Sequence, residues 1–371
     1  MSENECSSAS KKRCGVTSSY PNQCDKKSKP DIEGIILGYG NPLLDISVQT
    51  DTEYLNKYDL KADNAILAED KHKPMYAELV EKYKDVEFVP GGATLNVMRV
   101  AQKLLKVPKA TSFLGCIAHD KFGEILTKAA QDAGVNVKFQ YTDKEPTGTC
   151  AVICTDKNRS LVANLAAANC FTEDHLDDPD IWATVESAKY FYFAGFPLTV
   201  CPAAMLRIAK HAAQNNKVVS MNMSAPFLCN FFKDPMLQLL PYTDYWFGNE
   251  SECLAFAEAN KLETTNIEEI AKKIAGWDKV NKSTPRTVVI TQGKDPAISV
   301  VDGKVKEYPV ILINQEDIVD SNGAGDAFVG GFLAKLVEGG SLDECVASGH
   351  QVANLILQST GCTFPENKLI N

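Results

Sequence analysis

Short apolar runs rich in β-branched and aromatic residues alternate with longer amphipathic stretches along most of this chain. The short runs lie at 35–37, 111–115, 190–194, 218–223, 245–247 and 288–291. Apolar residues recur at helical spacing in 95–107, 122–133, 203–214 and 267–274. Because strands joined through helices pair in parallel, this order predicts a doubly wound, mostly parallel α/β sheet with helices on both faces.

Two segments, about 43–66 and 137–168, interrupt the alternation. Polar and apolar residues alternate in both, and neither contains a convincing long helix, so we expect strands of a small β-rich lid. No linker rich in Pro, Gly or Ser separates them from the rest, which predicts one domain over 31–371. Residues 1–30 lack periodicity and read as a disordered polar tail without a signal peptide.

The charge and the cysteines narrow the classes of partner and compartment. A formal net charge of −10 argues against nucleic-acid binding and against an acidic membrane surface, since both require clustered Lys and Arg. No run of about twenty apolar residues predicts a membrane span. The 12 cysteines include no C-x-x-C pair, so we expect reduced thiols in a cytoplasmic protein, with a nuclear share left open. No apolar seam is evident, which favours a monomer.

The chemically most informative segment runs from Asp320 to Asp326, directly before an apolar helical run. Gly323, Ala324 and Gly325 can turn their backbone N–H groups toward one anion at the start of a helix. Asp326 would repel a bound phosphate unless it accepts the proton of an attacking hydroxyl. The segment therefore indicates phosphoryl transfer, and its alternative is a glycine-rich turn with a capping Asp.

Two further segments suggest contacts to a sugar. Asn41 and Asp45 follow the first strand, where Asp45 could accept bonds from neighbouring hydroxyls, although a solvated turn explains them equally well. Gly91 and Gly92 precede a helix whose Asn96 could bond a ribose hydroxyl. The alternative there is a helix start capped by Thr94.

The second lid segment suggests a roof over an apolar base. Leu161, Ala163 and Leu165 share one strand face, and Arg159 precedes them where it could reach phosphates. A hairpin with a surface Arg is the simpler interpretation. Phe196 could add aromatic area for a purine or could be an ordinary core residue.

The ends of two later strands suggest a nucleotide site. Asn249 and Glu252 form an Asn-x-x-Glu spacing at a helix start and could hold Mg²⁺ through water, or could simply cap the helix. Thr291 and Gly293 end another strand and offer a hydroxyl and a close backbone approach to ATP phosphates, or an ordinary turn.

Together these segments resemble the ribokinase-like family of pfkB-type carbohydrate and nucleoside kinases, and within it the adenosine kinases. The resemblance spans about residues 33–366. It is carried by the segments 40–45, 66–70, 146–150, 158–170, 322–333 and 360–365.

The resemblance implies transfer of the ATP γ-phosphoryl group to the 5′-hydroxyl of adenosine, giving AMP and ADP, with Mg²⁺. Asp326 would be the general base and Gly323–Gly325 the anion hole, with Arg159 near the transferring phosphate. The implied nucleoside contacts are Asn41, Asp45, Gly91, Gly92, Asn96, Cys150, Leu161, Ala163, Leu165, Phe196 and Asn322. Asn249, Glu252, Thr291 and Gly293 would serve Mg²⁺ and ATP. The alternatives are another nucleoside or sugar kinase, or a catalytically silent nucleoside-binding regulator.

Overall fold

The computed structural model describes residues 32–61, 65–155 and 158–365, except for the side chains of residues 65, 158, 159 and 315. The predicted tail, 1–30, lies outside the described residues. The strands are β1 Ile36–Tyr39, β2 Leu43–Gln49, β3 Ala65–Leu67, β4 Glu87–Gly91, β5 Thr111–Ala118, β6 Asn136–Thr142, β7 Thr149–Thr155, β8 Asn158–Asn164, β9 Tyr190–Phe193, β10 Val218–Asn222, β11 Tyr245–Asn249, β12 Thr287–Gln292, β13 Asp295–Val301 and β14 Lys304–Tyr308. The α-helices are α1 Thr52–Lys57, α2 Lys73–Lys82, α3 Ala93–Leu105, α4 Lys121–Asp132, α5 Pro179–Ser187, α6 Pro202–Gln214, α7 Pro226–Phe231, α8 Lys233–Leu239, α9 Glu250–Ala259, α10 Ile267–Ala275, α11 Ala324–Val337 and α12 Leu342–Ile356.

The larger sheet has nine strands in the order β14-β13-β12-β11-β10-β9-β1-β5-β6. The pairs from β12 to β6 are parallel, whereas β13 and β14 extend one edge as an antiparallel pair. Helices cover both faces, so the predicted doubly wound α/β fold is confirmed. The four predicted amphipathic stretches form α3, α4, α6 and α10.

Successive residues of the central strands supply two separate cores. Tyr192 and Phe247 belong to a core with α3 and α11, while their neighbours Phe191 and Trp246 belong to a core with α6 and α9. Because side chains alternate across a strand, a strand buried on both faces must be apolar throughout. This is why the central strands appear in the sequence as unbroken apolar runs.

The smaller sheet has five strands in the order β3-β8-β7-β2-β4 and mixes parallel and antiparallel pairs. It corrects the predicted lid boundaries in two places. Asn136–Thr142, from the predicted lid segment 137–168, pairs in parallel with β5 and forms an edge of the larger sheet. It alternates because an edge strand has an exposed face. Glu87–Gly91, which the prediction omitted, pairs with β2.

The order of strands reverses between β1 and β9. The chain continues from β1 through β5 and β6 toward one edge, and from β9 through β10 to β12 toward the other. Loops that leave neighbouring strands in opposite directions open a crevice at the carboxyl ends of those strands, where ligands bind in sheets of this type. Among the described residues, no helix combines the length and apolar composition needed to cross a bilayer.

Candidate active site

A cavity of about 680 Å³ lies at this reversal, between the carboxyl ends of β1 and β9 and the smaller sheet. This volume is within the range of small-molecule sites. One part of its wall is apolar and comes from both sheets and from α7 and the residue after it: Leu43, Leu67, Leu165, Phe196, Phe227 and Phe232. Polar side chains also reach it: Asn41, Thr94, Asn169 and Thr199. The cavity therefore suits a ligand with an apolar ring and a hydroxylated part.

The Asn41 side chain is a buried polar group in the wall of the cavity. It is 8% exposed, and neither polar atom of its amide has a hydrogen-bond partner among the residues that the structure describes. Gly92 has φ +94°, and a Cβ there would overlap the backbone oxygen of Asn41. A buried amide without partners costs free energy, so this side chain indicates a polar ligand group in the cavity.

Asp45 lies next to this point, on β2. Its carboxylate packs against Gly91, where any side chain would overlap it. β2 runs between β4 and β7, which places Asp45 opposite Val89 on one side and Cys150 on the other. The glycine pair at 91–92 thus makes room for an acidic side chain and for a backbone turn.

Asp326 and Asn96 meet where α11 crosses α3. The two helices come close at Gly330, where a Cβ would lie 2.5 Å from Val100 Cγ1. One turn earlier on each helix, Asn96 Nδ2 donates to Asp326 Oδ2 at 3.0 Å. Asn96 lies in the first turn of α3, and Ala93 and Thr94 of the same turn line the cavity, so the carboxylate is held at the end of α3 that forms part of the cavity wall.

Two carboxyl groups at this site titrate near neutrality. Desolvation raises the pKa of Asp326 to about 7; the Asp45 and Glu252 carboxylates add to the rise, and the Asn96 hydrogen bond opposes it. Desolvation also raises the pKa of Glu252 to about 7, against the hydrogen bond from the backbone N–H of Asn249. A base with a pKa near the working pH transfers protons efficiently.

The loop before α11 forms a turn held by Asp320. This carboxylate accepts the N–H of Asn322 at 2.9 Å and that of Gly361 at 2.8 Å. Gly323 is the N-cap of α11 with φ +79°, and a Cβ there would lie 2.8 Å from Cys362 Cβ. The N–H groups of the first helical turn have no carbonyl four residues earlier within the helix, so they present partial positive charge to an anion. Asn322 is exposed at the mouth of this turn.

Asn249 and Glu252 form a reciprocal helix cap at the start of α9. The Asn249 backbone N–H and Nδ2 each donate to one Glu252 oxygen at 3.0 Å, and the Glu252 N–H donates back to Asn249 Oδ1 at 2.9 Å. Thr291 pairs with Asn249 across β12 and β11. Gly293 follows with φ +57°, and no atom lies within 4 Å of the position that a Cβ would take there. Asn249 and Glu252 therefore form the helix cap that the sequence offered as the alternative to a metal site. With Thr291 and Gly293 they lie at the carboxyl ends of the neighbouring strands β11 and β12.

The chain matches the model of the pfkB family carbohydrate kinases over residues 52–369. The chain belongs to this family. It is 52% identical to adenosine kinase 2 of Arabidopsis thaliana over 344 residues, which is 93% of this chain and 99% of that protein.

Solved structures of adenosine kinases have the same fold. The Anopheles gambiae adenosine kinase, in complex with P1,P4-di(adenosine-5) tetraphosphate, is 45% identical with a TM-score of 0.81, covering 89% of this chain and 97% of that one. The Schistosoma mansoni adenosine kinase, in complex with adenosine in an occluded loop conformation, is 35% identical with a TM-score of 0.82, covering 90% and 98%.

Within this pfkB fold, the predicted lid residues separate into two groups. Ala163 and Leu165 line the cavity. Leu161 lines a different, small pocket with Ile66, and Cys150 packs in a cluster with Val152 and Cys154. The backbone of Arg159 pairs with Cys154 in the β7–β8 hairpin. Its side chain lies outside the described residues, so its predicted contact with a phosphate stays a prediction.

Sequence reasoning missed several residues at the site, including two phenylalanines, an arginine and the polar cavity residues Asn169 and Thr199. Phe227 and Phe232 line the cavity from α7 and its end, and no motif marked them. Proline at the first position of α7 marks that helix start, but not the direction of its side chains. Arg99 contacts Asn96 from the next turn of α3. The sequence signal for Arg99 was a cationic side chain among the apolar positions of an amphipathic helix, where a charge is rarely buried without a partner.

Proposed function

We propose that this pfkB family member is an adenosine kinase, which transfers the γ-phosphoryl group of ATP to the 5′-hydroxyl of adenosine and releases AMP and ADP. The contact between Asn96 and Asp326 carries the proposal, because it holds a carboxylate of near-neutral pKa at the end of α3 whose first residues line a cavity suited to a nucleoside. The likeness to adenosine kinases of several organisms supports the same substrate.

The cavity supports binding of both parts of a nucleoside. Phe196, Phe227 and Leu165 offer apolar and aromatic surface to a purine ring. Asn41 and Asp45 supply an amide and a carboxylate to the ribose hydroxyls. Release of water from the apolar wall drives binding, while the buried amide of Asn41 orients the sugar.

The chemistry assigned to this chain is positioning, proton acceptance and charge stabilisation. Asp326 accepts the proton of the 5′-hydroxyl as that oxygen attacks phosphorus. The first N–H groups of α11 stabilise the negative charge that develops on the transferring group. Because the transition state of phosphoryl transfer is loose, correct placement contributes more than the strength of the base.

The co-substrate in this proposal is ATP in complex with Mg²⁺. Both Glu252 oxygens already accept hydrogen bonds from Asn249, which does not fit direct ligation of a metal. Each carboxylate oxygen keeps a further lone pair for a metal-bound water, and Mg²⁺ retains its waters readily. Asn249 and Glu252 would thus hold Mg²⁺-ATP through water, and the ion would neutralise phosphate charge.

A substrate panel tests the proposal. Purified protein with ATP and Mg²⁺ is offered adenosine, guanosine, ribose and fructose, and labelled AMP is separated by chromatography. We expect rapid phosphorylation of adenosine and slow phosphorylation of the two free sugars, because the apolar wall contributes nothing to binding a sugar alone. Faster use of ribose, or binding of adenosine without turnover, would favour a sugar kinase or a silent regulator.

The proposal places the protein in purine salvage, acting as a cytoplasmic monomer. The reaction regenerates a nucleotide from a free nucleoside, which is the chemistry of salvage. Sedimentation velocity of the purified chain tests the monomer, and fractionation of cells tests the compartment and any nuclear share.

A further inference from the structure

Arg99 is a largely desolvated cation that contacts Asn96, the hydrogen-bond partner of Asp326. It lies on α3, nearly one turn after Asn96, and its Nη1 donates to the Pro90 oxygen at 2.6 Å and to Asn96 Oδ1 at 3.4 Å. Its Nε is buried and has no hydrogen-bond partner in the described part of the chain. Desolvation lowers the pKa of Arg99, while Cys362 and Asp45 oppose that change. Removing a guanidinium from water is costly, so a contact with one backbone carbonyl does not by itself explain it.

The chemistry of the three side chains determines how Asn96 must point. A guanidinium only donates hydrogen bonds, an ionised carboxylate only accepts them, and an amide does both from opposite ends. Arg99 therefore selects the amide oxygen of Asn96, which leaves Nδ2 for Asp326. If the Asn96 amide were reversed, its Nδ2 would face the guanidinium of Arg99, which also donates, and its Oδ1 would face the carboxylate of Asp326. The short bond to Pro90 holds the guanidinium in place for this selection.

We propose that Arg99 is a positioning residue for phosphoryl transfer, which orients the Asn96 amide so that it holds the Asp326 carboxylate toward the acceptor hydroxyl. This inference rests on the proposed function. It adds Arg99 to Asn96 and Asp326 as a residue that acts on the site without contacting the substrate. It also explains why a cation occupies a desolvated position on α3.

The groups around Asp326 determine the sign of the expected effect. Asp45 on β2 and Glu252 on α9 raise its pKa, and the Asn96 bond lowers it. Tyr192 on β9 and Cys362 after α12 also interact with it electrostatically, and both have raised pKa values of their own. Loss of Arg99 frees the amide to turn, which weakens the hydrogen bond from Asn96 that favours the charged form of Asp326. The pKa of Asp326 then rises, and more of the base is protonated at neutral pH.

The decisive experiment compares the pH dependence of kcat in three variants. In Arg99→Met we expect kcat near neutral pH to fall about tenfold, with the acid limb moved to higher pH and activity partly recovered in alkaline buffer. Arg99→Lys should retain most activity, because an ammonium group also only donates. Lys103→Met removes the same charge from an exposed position of α3 and should leave the profile unchanged. In the substrate-free protein, ¹³C NMR of the Asp326 carboxyl should show the same shift without turnover.

A double-mutant cycle separates orientation from a general structural role. If Arg99 acts through Asn96, Arg99→Met should have little further effect on the acid limb in an Asn96→Ala background. The inference is wrong if Arg99→Met moves the acid limb equally in both backgrounds. It is also wrong if Arg99→Met lowers kcat by the same factor at every pH. If Arg99→Met does not fold, Arg99→Gln is the second variant. Its amide keeps a donor for the Pro90 oxygen but can also accept a hydrogen bond, so it no longer selects the Asn96 oxygen and the acid limb of kcat should still move to higher pH. An acid limb that stays in place would refute the role of Arg99. Wild-type protein that forms no AMP refutes the proposed function instead.

Discussion

Asn96 donates a 3.0 Å hydrogen bond to Asp326, although 230 positions separate them in the chain. The contact exists because α3 and α11 cross at Val100 and Gly330, one turn below. It couples the helix that opens at the cavity wall to the helix whose N-terminus suits an anion. The consequences are open to direct tests.

Replacing Asp326 with Asn should lower kcat strongly and leave adenosine binding largely intact. The amide has nearly the same shape but cannot accept the proton of the attacking hydroxyl, so kcat should fall by about 10²–10⁴-fold. Adenosine affinity, measured by calorimetry, should change little. A variant with near-normal kcat would show that Asp326 is not the base.

The same substitution should stabilise the fold in a pH-dependent way. The folded pKa of Asp326 is about 7, above the ordinary value of 3.8, so the folded state binds more protons between these two values. Stability of the wild type therefore falls as pH rises through this window, and the loss is complete above it. Asp326→Asn lacks the titration. We expect its unfolding temperature to exceed that of the wild type at about pH 8 and to approach it near pH 4. A constant difference would contradict the raised pKa.

Glu252→Gln should move the acid limb of kcat to lower pH. The Glu252 carboxylate raises the pKa of Asp326, and a neutral amide removes that repulsion while still serving as a helix cap. The pH profile of the variant is compared with that of Glu258→Gln, an exposed position on the same helix. If both variants coincide with the wild type, the two carboxyl groups are not coupled.

The two glycines before Asp326 should respond differently to alanine. Gly323→Ala places a side chain at φ +79° and against Cys362, and should destabilise the fold by about 1–3 kcal/mol in urea unfolding. Gly325→Ala meets no atom within 4 Å, so stability should be kept. Its kcat should still fall, because the methyl group enters the space assigned to a phosphate. Full activity of Gly325→Ala would place the anion elsewhere.

Asn41→Ala should weaken adenosine binding without weakening the fold. The amide lacks partners in the described part of the chain, so removing it breaks no internal hydrogen bond, whereas a bound sugar loses about tenfold in affinity. Thr199→Ala is the matched control, since that cavity-lining hydroxyl is already bonded to the Phe196 oxygen at 2.9 Å. Equal loss of affinity in both variants would mean that the cavity wall, not the amide, was disturbed.

Local patterns predicted the parallel sheet and the helices α3, α4, α6 and α10, because burial on two faces and helical spacing are legible within a dozen residues. The same reasoning failed for Asn136–Thr142, which alternates like a lid strand but pairs with β5. Alternation reports one exposed face and not which sheet the strand joins. Leu161 shares a strand face with Ala163, yet it lines a separate pocket, because the surroundings change along the strand.

The amino-acid sequence alone determined the alternation of strands and helices in the larger sheet and the glycine turn that precedes Asp326, since backbone preferences and apolar periodicity act over short distances. Only the tertiary structure decided that Asn96 reaches Asp326, that Arg99 contacts this amide, and that Phe227 lines the cavity. Contacts of this kind depend on how helices from distant parts of the chain pack on one sheet, and side chains from every element contribute to that packing.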